Sequence, residues 1–163
     1  IGDSFIGLNL KKAGVPAQAG IQYFINKYDL PNPKVALGQK LLGIATSCID
    51  ISDGLLADLN HICDCSNVGA EIISAQIPTS PCEYDIMQLI TAGDDYELCF
   101  TAPVEAVEGC YKIGKIVAGT GLLVLTSTPD GARVYLDDNL TTATNDTLNL
   151  PPGDYDVRIE KDL

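Results

Sequence analysis

The feature that most restricts how this chain can fold is a change of pattern near Gly121. Before it, helical and strand periodicities are mixed; after it, short β-branched stretches are separated by turn residues and no helical period appears. The basic residues change at the same place, since residues 1–121 carry seven lysines and no arginine, whereas Arg133 and Arg158 lie beyond. Two modules are therefore expected, one spanning 1–121 and the other 122–163.

In the first module, residues 4–12 and 17–27 can be helical, the latter with Ile21, Phe24, Ile25 and Tyr28 on one apolar stripe that Pro31 and Pro33 bring to an end. A short helix is predicted to run to Leu42 and an extended segment over 45–51. A further helix begins near Gly54, where Leu55, Leu56, Leu59, Ile62 and Cys63 recur at spacings of three and four. Residues 69–77 read as a strand, 83–91 as a helix, 96–101 as a strand with Tyr96, Leu98 and Phe100 on one side, and 111–117 as another strand. Helices and strands without regular βαβ alternation indicate an α+β fold. In the second module, strands are predicted at 122–126, 133–136, 146–150 and 155–160, separated by turns such as Pro129-Asp130-Gly131 and Pro151-Pro152-Gly153-Asp154. A small all-β sandwich is the expected result.

Charge narrows the functional classes. Twenty-two acidic residues against ten basic ones give a formal charge of −12, so the field of the whole protein opposes a phosphate backbone or an anionic membrane. No nucleic acid partner is expected. No stretch approaches the roughly 18 consecutive apolar residues of a membrane span, and the first residues lack the pattern of a signal peptide. The expected location is cytoplasmic. The six cysteines are read as buried reduced thiols. His61 and Cys65 stand one helical turn apart with Cys63 between them, but that trio lacks the second pair of ligands that a zinc site needs.

The densest chemical signal is Cys48-Ile49-Asp50-Ile51-Ser52-Asp53-Gly54-Leu55. If the segment is extended, Ile49 and Ile51 face the core while Asp50 and Ser52 share the opposite face. Two carboxylates and a hydroxyl converging on a helix start suit an oxygen-coordinated magnesium ion, with helix amides available to an anionic group. Capping by Ser52 or Asp53, which contributes about 1 kcal/mol, is the structural alternative. Asp50, between two strand isoleucines, calls for either a partner or a metal. A second acidic group, Gly93-Asp94-Asp95-Tyr96-Glu97, places three acids so close that they repel unless solvated or shared by cations. Neither a G-x-x-x-x-G-K-[ST] loop nor a G-x-S-x-G elbow occurs.

Taken in order, Ile1-Gly2-Asp3-Ser4, Pro31-Asn32-Pro33, Asp50-Ile51-Ser52-Asp53-Gly54-Leu55-Leu56-Ala57-Asp58-Leu59-Asn60-His61-Ile62, Val68-Gly69-Ala70 and Gly93-Asp94-Asp95-Tyr96-Glu97-Leu98-Cys99-Phe100-Thr101 resemble the C-terminal half of thiamine-monophosphate kinase. The resemblance implies the α+β C-terminal domain of the aminoimidazole ribonucleotide synthetase-like fold and transfer of a phosphoryl group from ATP to thiamine phosphate. It implies that Asp50 and Asp53 bind Mg2+, that Ser52 contacts ATP and that Asp94 holds the thiamine phosphate. A separate N-terminal half supplies further acids and the dimer interface in that family, so this chain is expected to be inactive without that half or a homodimer partner. Ala92 replaces the first glycine of the family's usual Gly-Gly pair, and its C-terminal substrate-contacting aromatic has no counterpart after Gly121. Residues 127–137, with Pro129-Asp130-Gly131-Ala132, and Leu150-Pro151-Pro152-Gly153 resemble instead the PEGA domain, a β-rich module without established chemistry. The alternative to a kinase half is a noncatalytic scaffold whose degenerate kinase domain carries this binding module. A third reading is another enzyme of the same superfamily, acting on a purine precursor or selenide.

Overall fold

The computed structural model describes residues 1–104, 107–119, 123–126, 133–136, 139–143 and 157–160. They fall into two compact units, Ile1–Ile62 with Pro78–Val107, and Cys63–Ile77 with Glu108–Leu163.

The first unit opens with helices α1 (Asp3–Lys12), α2 (Ala19–Asp29) and α3 (Val35–Lys40). The predicted stripe of α2 is half-buried rather than buried along its length. Tyr23 of α2 donates its hydroxyl to Asp3 at 2.8 Å, and that bond, with partial burial, pushes its phenol up to about 12. Strand β1 (Ser47–Asp50) pairs antiparallel with β3 (Leu98–Thr101), Asp50 lying opposite Leu98 and Ile49 opposite Cys99. Between them in sequence are α4 (Leu55–Ser66) and α5 (Ile86–Thr91). Asp85 caps α5 in a reciprocal arrangement: its carboxylate accepts the Gln88 N–H at 3.0 Å and its own N–H donates to Gln88 Oε1 at 3.1 Å. The spacing of Leu55, Leu59 and Ile62 buries all three on one side of α4, and Ile51, Leu89 and Ile90 are buried with them. Each such aliphatic side chain removed from water contributes about 1.5–3 kcal/mol.

The second unit contains β2 (Gly69–Ile73), which runs into a 3-10 turn at Ser74–Gln76, so the expected strand over 69–77 ends early. It lies between β4 (Gly114–Val117), antiparallel, and β5 (Leu123–Thr126), parallel. A three-stranded antiparallel sheet follows, with β6 (Arg133–Leu136) between β7 (Asn139–Ala143) and β8 (Val157–Glu160). Segment 123–126, expected to join the strands that follow it, instead adds to β2. β7 was not predicted, because the turn signal at Asp137-Asp138-Asn139 leads directly into it. The predicted strand at 146–150 lies outside the described residues; the described residues after β5 form a single three-stranded sheet, β7-β6-β8.

Two further expectations change. Tyr96 has φ 50 and stands outside β3, so it does not continue the alternation of Leu98 and Phe100. All six cysteines are free, but only Cys63 and Cys99 are buried; Cys48, Cys65 and Cys82 are exposed. For Cys48 the strand alternation explains the difference, since it shares the outward face with Asp50.

Candidate active site

The site is built where the loop after β1 meets the loop before β3. The Ile51 N–H donates to the Glu97 carbonyl at 2.8 Å, the Tyr96 N–H to the Ile51 carbonyl at 2.8 Å, and the Asp94 N–H to the Ser52 carbonyl at 2.9 Å. These bonds continue the β1–β3 pairing past the strand ends, so two acidic segments far apart in sequence become neighbours. Asp50, Asp53 and Asp94 are exposed, and Ser52 is half-buried.

Two glycines permit this approach. A Cβ on Gly93 would stand 2.3 Å from the Ser52 carbonyl oxygen, and one on Gly54, whose φ is 112, would stand 2.7 Å from the carbonyl oxygen of Thr91. Neither contact can be relieved by rotating a side chain, because the obstruction is backbone. Asp94 itself sits at φ 65, the left-handed region that aspartate tolerates better than most residues. Tyr96 occupies the same region, at a cost on the order of 1–3 kcal/mol.

The three neighbouring acids of the second segment have separate fates. Asp94 faces solvent and accepts a long hydrogen bond of 3.4 Å from the Tyr96 hydroxyl. Asp95 turns inward, where its carboxylate accepts the Gly2 N–H at 2.7 Å and the Ser4 N–H at 3.4 Å, capping α1. Burial dominates there and holds its carboxyl above the usual range, against the opposing pull of those N–H groups and the chain's terminal ammonium. Glu97 pairs with Lys34 at 2.8 Å and Lys27 at 3.3 Å. Repulsion among the three is thus relieved by a helix N-terminus and two ammonium groups, while Asp94 is left facing solvent. The Tyr96 phenol records the local field: the charge of Asp94 raises it most, followed by partial burial and the bond to Asp94, with Asp50 and Asp53 adding to the effect.

Sequence reasoning gave no role to Asp58, which lies on α4 and is only 2% exposed. Its Oδ2 accepts the N–H of Ser52 at 2.9 Å and of Asp53 at 3.0 Å, tying the Asp50-to-Asp53 loop to the start of α4. The signal was present, because Asp58 falls three residues after Leu55 and four before Ile62, within the apolar stripe, where a carboxylate needs a specific partner. Among the described residues, one group of potential metal ligands has its donor atoms within 4.8 Å of one another: Asp53, Asp58 and His61. The structure therefore associates His61 with carboxylates rather than with Cys63 and Cys65, and this group does not include Asp50. The exposed oxygen donors of Asp50, Asp53 and Asp94 fit a hard divalent cation such as Mg2+ by their chemistry.

Beside Asp94 lies a partly open cavity of about 340 Å³, lined by residues of α1, α2 and α5 and by residues 92–94. Ser4, Phe5 and Leu8 come from α1, Tyr28 from α2, and Gln88 and Thr91 from α5. No helix among the described residues is long and apolar enough to cross a membrane.

Comparison with known proteins agrees with the resemblance read from the motifs. Thiamine-monophosphate kinase of Haemophilus influenzae is 41% identical over 113 residues, which cover 64% of this chain and 34% of that protein. The crystal structure of thiamine-monophosphate kinase from Stenotrophomonas maltophilia K279a superposes with a TM-score of 0.67 at 32% identity, over 77% of this chain and 47% of that one. AaThiL complexed with AMPPCP and TMP gives a TM-score of 0.70 at 28% identity, over 77% of this chain and 44% of the other. The chain thus spans about a third of the Haemophilus relative and less than half of each solved chain. Residues 120–163 match the model of the PEGA domain.

Proposed function

We propose that this chain is the C-terminal half of a Mg2+- and ATP-dependent thiamine-phosphate kinase, joined to a PEGA-like module over residues 122–163. The reaction would move the γ-phosphoryl group of ATP to the phosphate of thiamine phosphate, giving thiamine diphosphate and ADP. The observation that carries the reading is the backbone ladder that brings the Asp50-Ile51-Ser52-Asp53 loop against Asp94.

Phosphoryl transfer of this class depends on positioning and charge more than on a covalent nucleophile, and a site of carboxylates without a prepared nucleophile suits it. Asp50 and Asp53 would hold magnesium, which when bound offsets phosphate charge. Ser52 would contact ATP, and Asp94, one of the residues lining the cavity, would hold thiamine phosphate. Asp58 orients the loop by fixing the amides of Ser52 and Asp53, so it is a positioning residue. The kinase homologues and the AMPPCP and TMP named for the solved relative support ATP and thiamine phosphate as the ligands.

Because the chain covers only part of its relatives, its working partner would be an N-terminal half or a second copy, in the cytoplasm. The test is thiamine diphosphate formation from ATP and thiamine phosphate with magnesium, using the chain alone and with a supplied N-terminal half. Turnover that Asp50→Asn abolishes is the expected result, and turnover appearing only with the added half would identify one piece of a split enzyme. No turnover in either case would favour the second reading, a noncatalytic scaffold, to which the PEGA match at 120–163 lends support.

A further inference from the structure

Two residues of the loop before β3 carry strained backbone, Asp94 at φ 65 and Tyr96 at φ 50, and Asp95 stands between them. Left-handed conformations at residues other than glycine persist only where the surroundings over-determine them. The backbone supplies one set of restraints, since the Asp94 N–H donates to the Ser52 carbonyl at 2.9 Å and the Tyr96 N–H to the Ile51 carbonyl at 2.8 Å. Asp95 supplies the other through a different element, because its carboxylate accepts the Gly2 N–H at 2.7 Å and the Ser4 N–H at 3.4 Å at the start of α1.

That anchor has little room to move. Gly2 takes φ 85, and a Cβ on it would stand 2.6 Å from Leu89 Cδ2, so the N–H offered to Asp95 belongs to backbone wedged against α5. Helix α1 is seated as closely on α2, where a Cβ on Gly7 would stand 2.0 Å from the Phe24 carbonyl oxygen. The hydrogen bond that the Asp94 carboxylate accepts from the Tyr96 hydroxyl is long, at 3.4 Å, and is too weak to replace this anchor.

We propose that Asp95 is a positioning residue for the phosphoryl transfer: by clamping the loop to the N-terminus of α1, it holds Asp94 in the left-handed conformation in which it meets the Asp50-to-Asp53 loop. The assignment rests on the thiamine-phosphate reading for what Asp94 binds. It gives the two adjacent acids unequal roles, one facing solvent and the other turned inward to fix its neighbour.

Native-state hydrogen exchange, followed by NMR on the whole chain near neutral pH, tests the clamp without substrate or metal. Asp95→Ala is expected to speed exchange of the Asp94 and Tyr96 amides about tenfold or more relative to those of Leu59 and Ile62, whose burial in α4 makes them reporters of general stability. Asp95→Asn, which keeps an oxygen for the Gly2 N–H, should stay within about threefold of the native chain. A merely structural aspartate would speed all four amides alike, and that result, or unchanged exchange, overturns the proposal. If Asp95→Ala does not fold, Asp95→Ser, whose hydroxyl lacks the reach of a carboxylate, is measured in its place with the same expectation. With a supplied N-terminal half, Asp95→Ala should raise the KM for thiamine phosphate about fivefold or more while kcat falls less, and an unchanged KM likewise overturns the proposal. The two readings fail separately. Turnover that needs Asp50 together with uniform exchange removes the clamp alone. Selective exchange at Asp94 and Tyr96 without turnover removes the kinase reading and leaves the clamp in place.

Discussion

The N–H of Asp94 donates to the carbonyl of Ser52 at 2.9 Å, joining two acidic loops that lie far apart in the sequence. The bond requires Gly93, because a Cβ there would lie 2.3 Å from that same carbonyl oxygen. Replacing Gly93 with Ala should push the loops apart and cost about 1–3 kcal/mol, as overpacking against rigid backbone does. Urea denaturation should show the loss in its midpoint, and binding of magnesium–AMPPCP should fall further than the midpoint does. A variant with native stability and native nucleotide binding would mean that the close approach is not needed for the site.

Asp50 and Asp53 are exposed, so Asp50→Asn and Asp53→Asn should leave the urea midpoint within about 0.5 kcal/mol of native. Both should abolish magnesium-dependent nucleotide binding, measured by calorimetry with AMPPCP. Unchanged binding in both would count decisively against their role as metal ligands.

Asp58 should behave in the opposite way. It is buried, and its Oδ2 satisfies two loop amides, so Asp58→Ala leaves both N–H groups without that acceptor and should cost about 2–4 kcal/mol. Asp58→Asn keeps a carbonyl oxygen in the same place and should lose less than half of that. If the two variants unfold at the same urea concentration, the amides are held by something other than this carboxylate.

Much of this architecture was legible in the sequence, and the remainder has identifiable causes. Leu55, Leu59 and Ile62 announce α4 because a local period records which face is buried. The approach of the Asp50-to-Asp53 loop to the Asp94 loop was not legible in any local pattern, since the register that pairs Asp50 with Leu98 is non-local. Asp58 went unassigned because a motif rich in acids draws notice to its exposed members, whereas its polar position inside an apolar stripe was the better clue. At Tyr96, alternation predicts a strand side chain, but the positive φ that lets the loop reach Ile51 overrides it. In the second unit, Leu123–Thr126 pairs with β2 because a strand's partner is chosen by tertiary contact rather than by its neighbours in sequence.

Asp95 gives the chain a pH dependence of definite sign. Burial raises its carboxyl above the unfolded value of about 3.9, so the folded state holds the proton to higher pH than the unfolded state. That contribution to stability is fully present below the unfolded value and is lost as pH rises through the folded one. Asp95→Asn, which cannot ionise yet keeps an oxygen to accept the Gly2 N–H, removes this slope. Urea midpoints between about pH 3 and pH 7 should therefore show the native chain losing stability relative to Asp95→Asn as pH rises. A difference that stays constant, or that grows in favour of the native chain, would show that the N–H groups at the start of α1 outweigh the cost of burying the charge.

The Tyr96 phenol offers a direct reading of the acidic field. Asp94 raises it both by charge and by hydrogen bonding, whereas Asp50 and Asp53 act only through charge and by less. Spectrophotometric titration of each variant, referenced to the same variant carrying Tyr96→Phe, isolates this phenol from the other six tyrosines. Asp94→Asn should lower its midpoint most, and Asp50→Asn and Asp53→Asn should lower it by smaller amounts. The lowering has a definite sign because each substitution removes a negative charge that opposes formation of phenolate. Added salt should reduce all three effects, since these groups are exposed and the fields between them are screened over about 8 Å at physiological ionic strength. If Asp94→Asn leaves the midpoint where it was, the hydroxyl does not face that carboxylate in solution, and the arrangement of Asp94 beside the Asp50-to-Asp53 loop has to be redrawn.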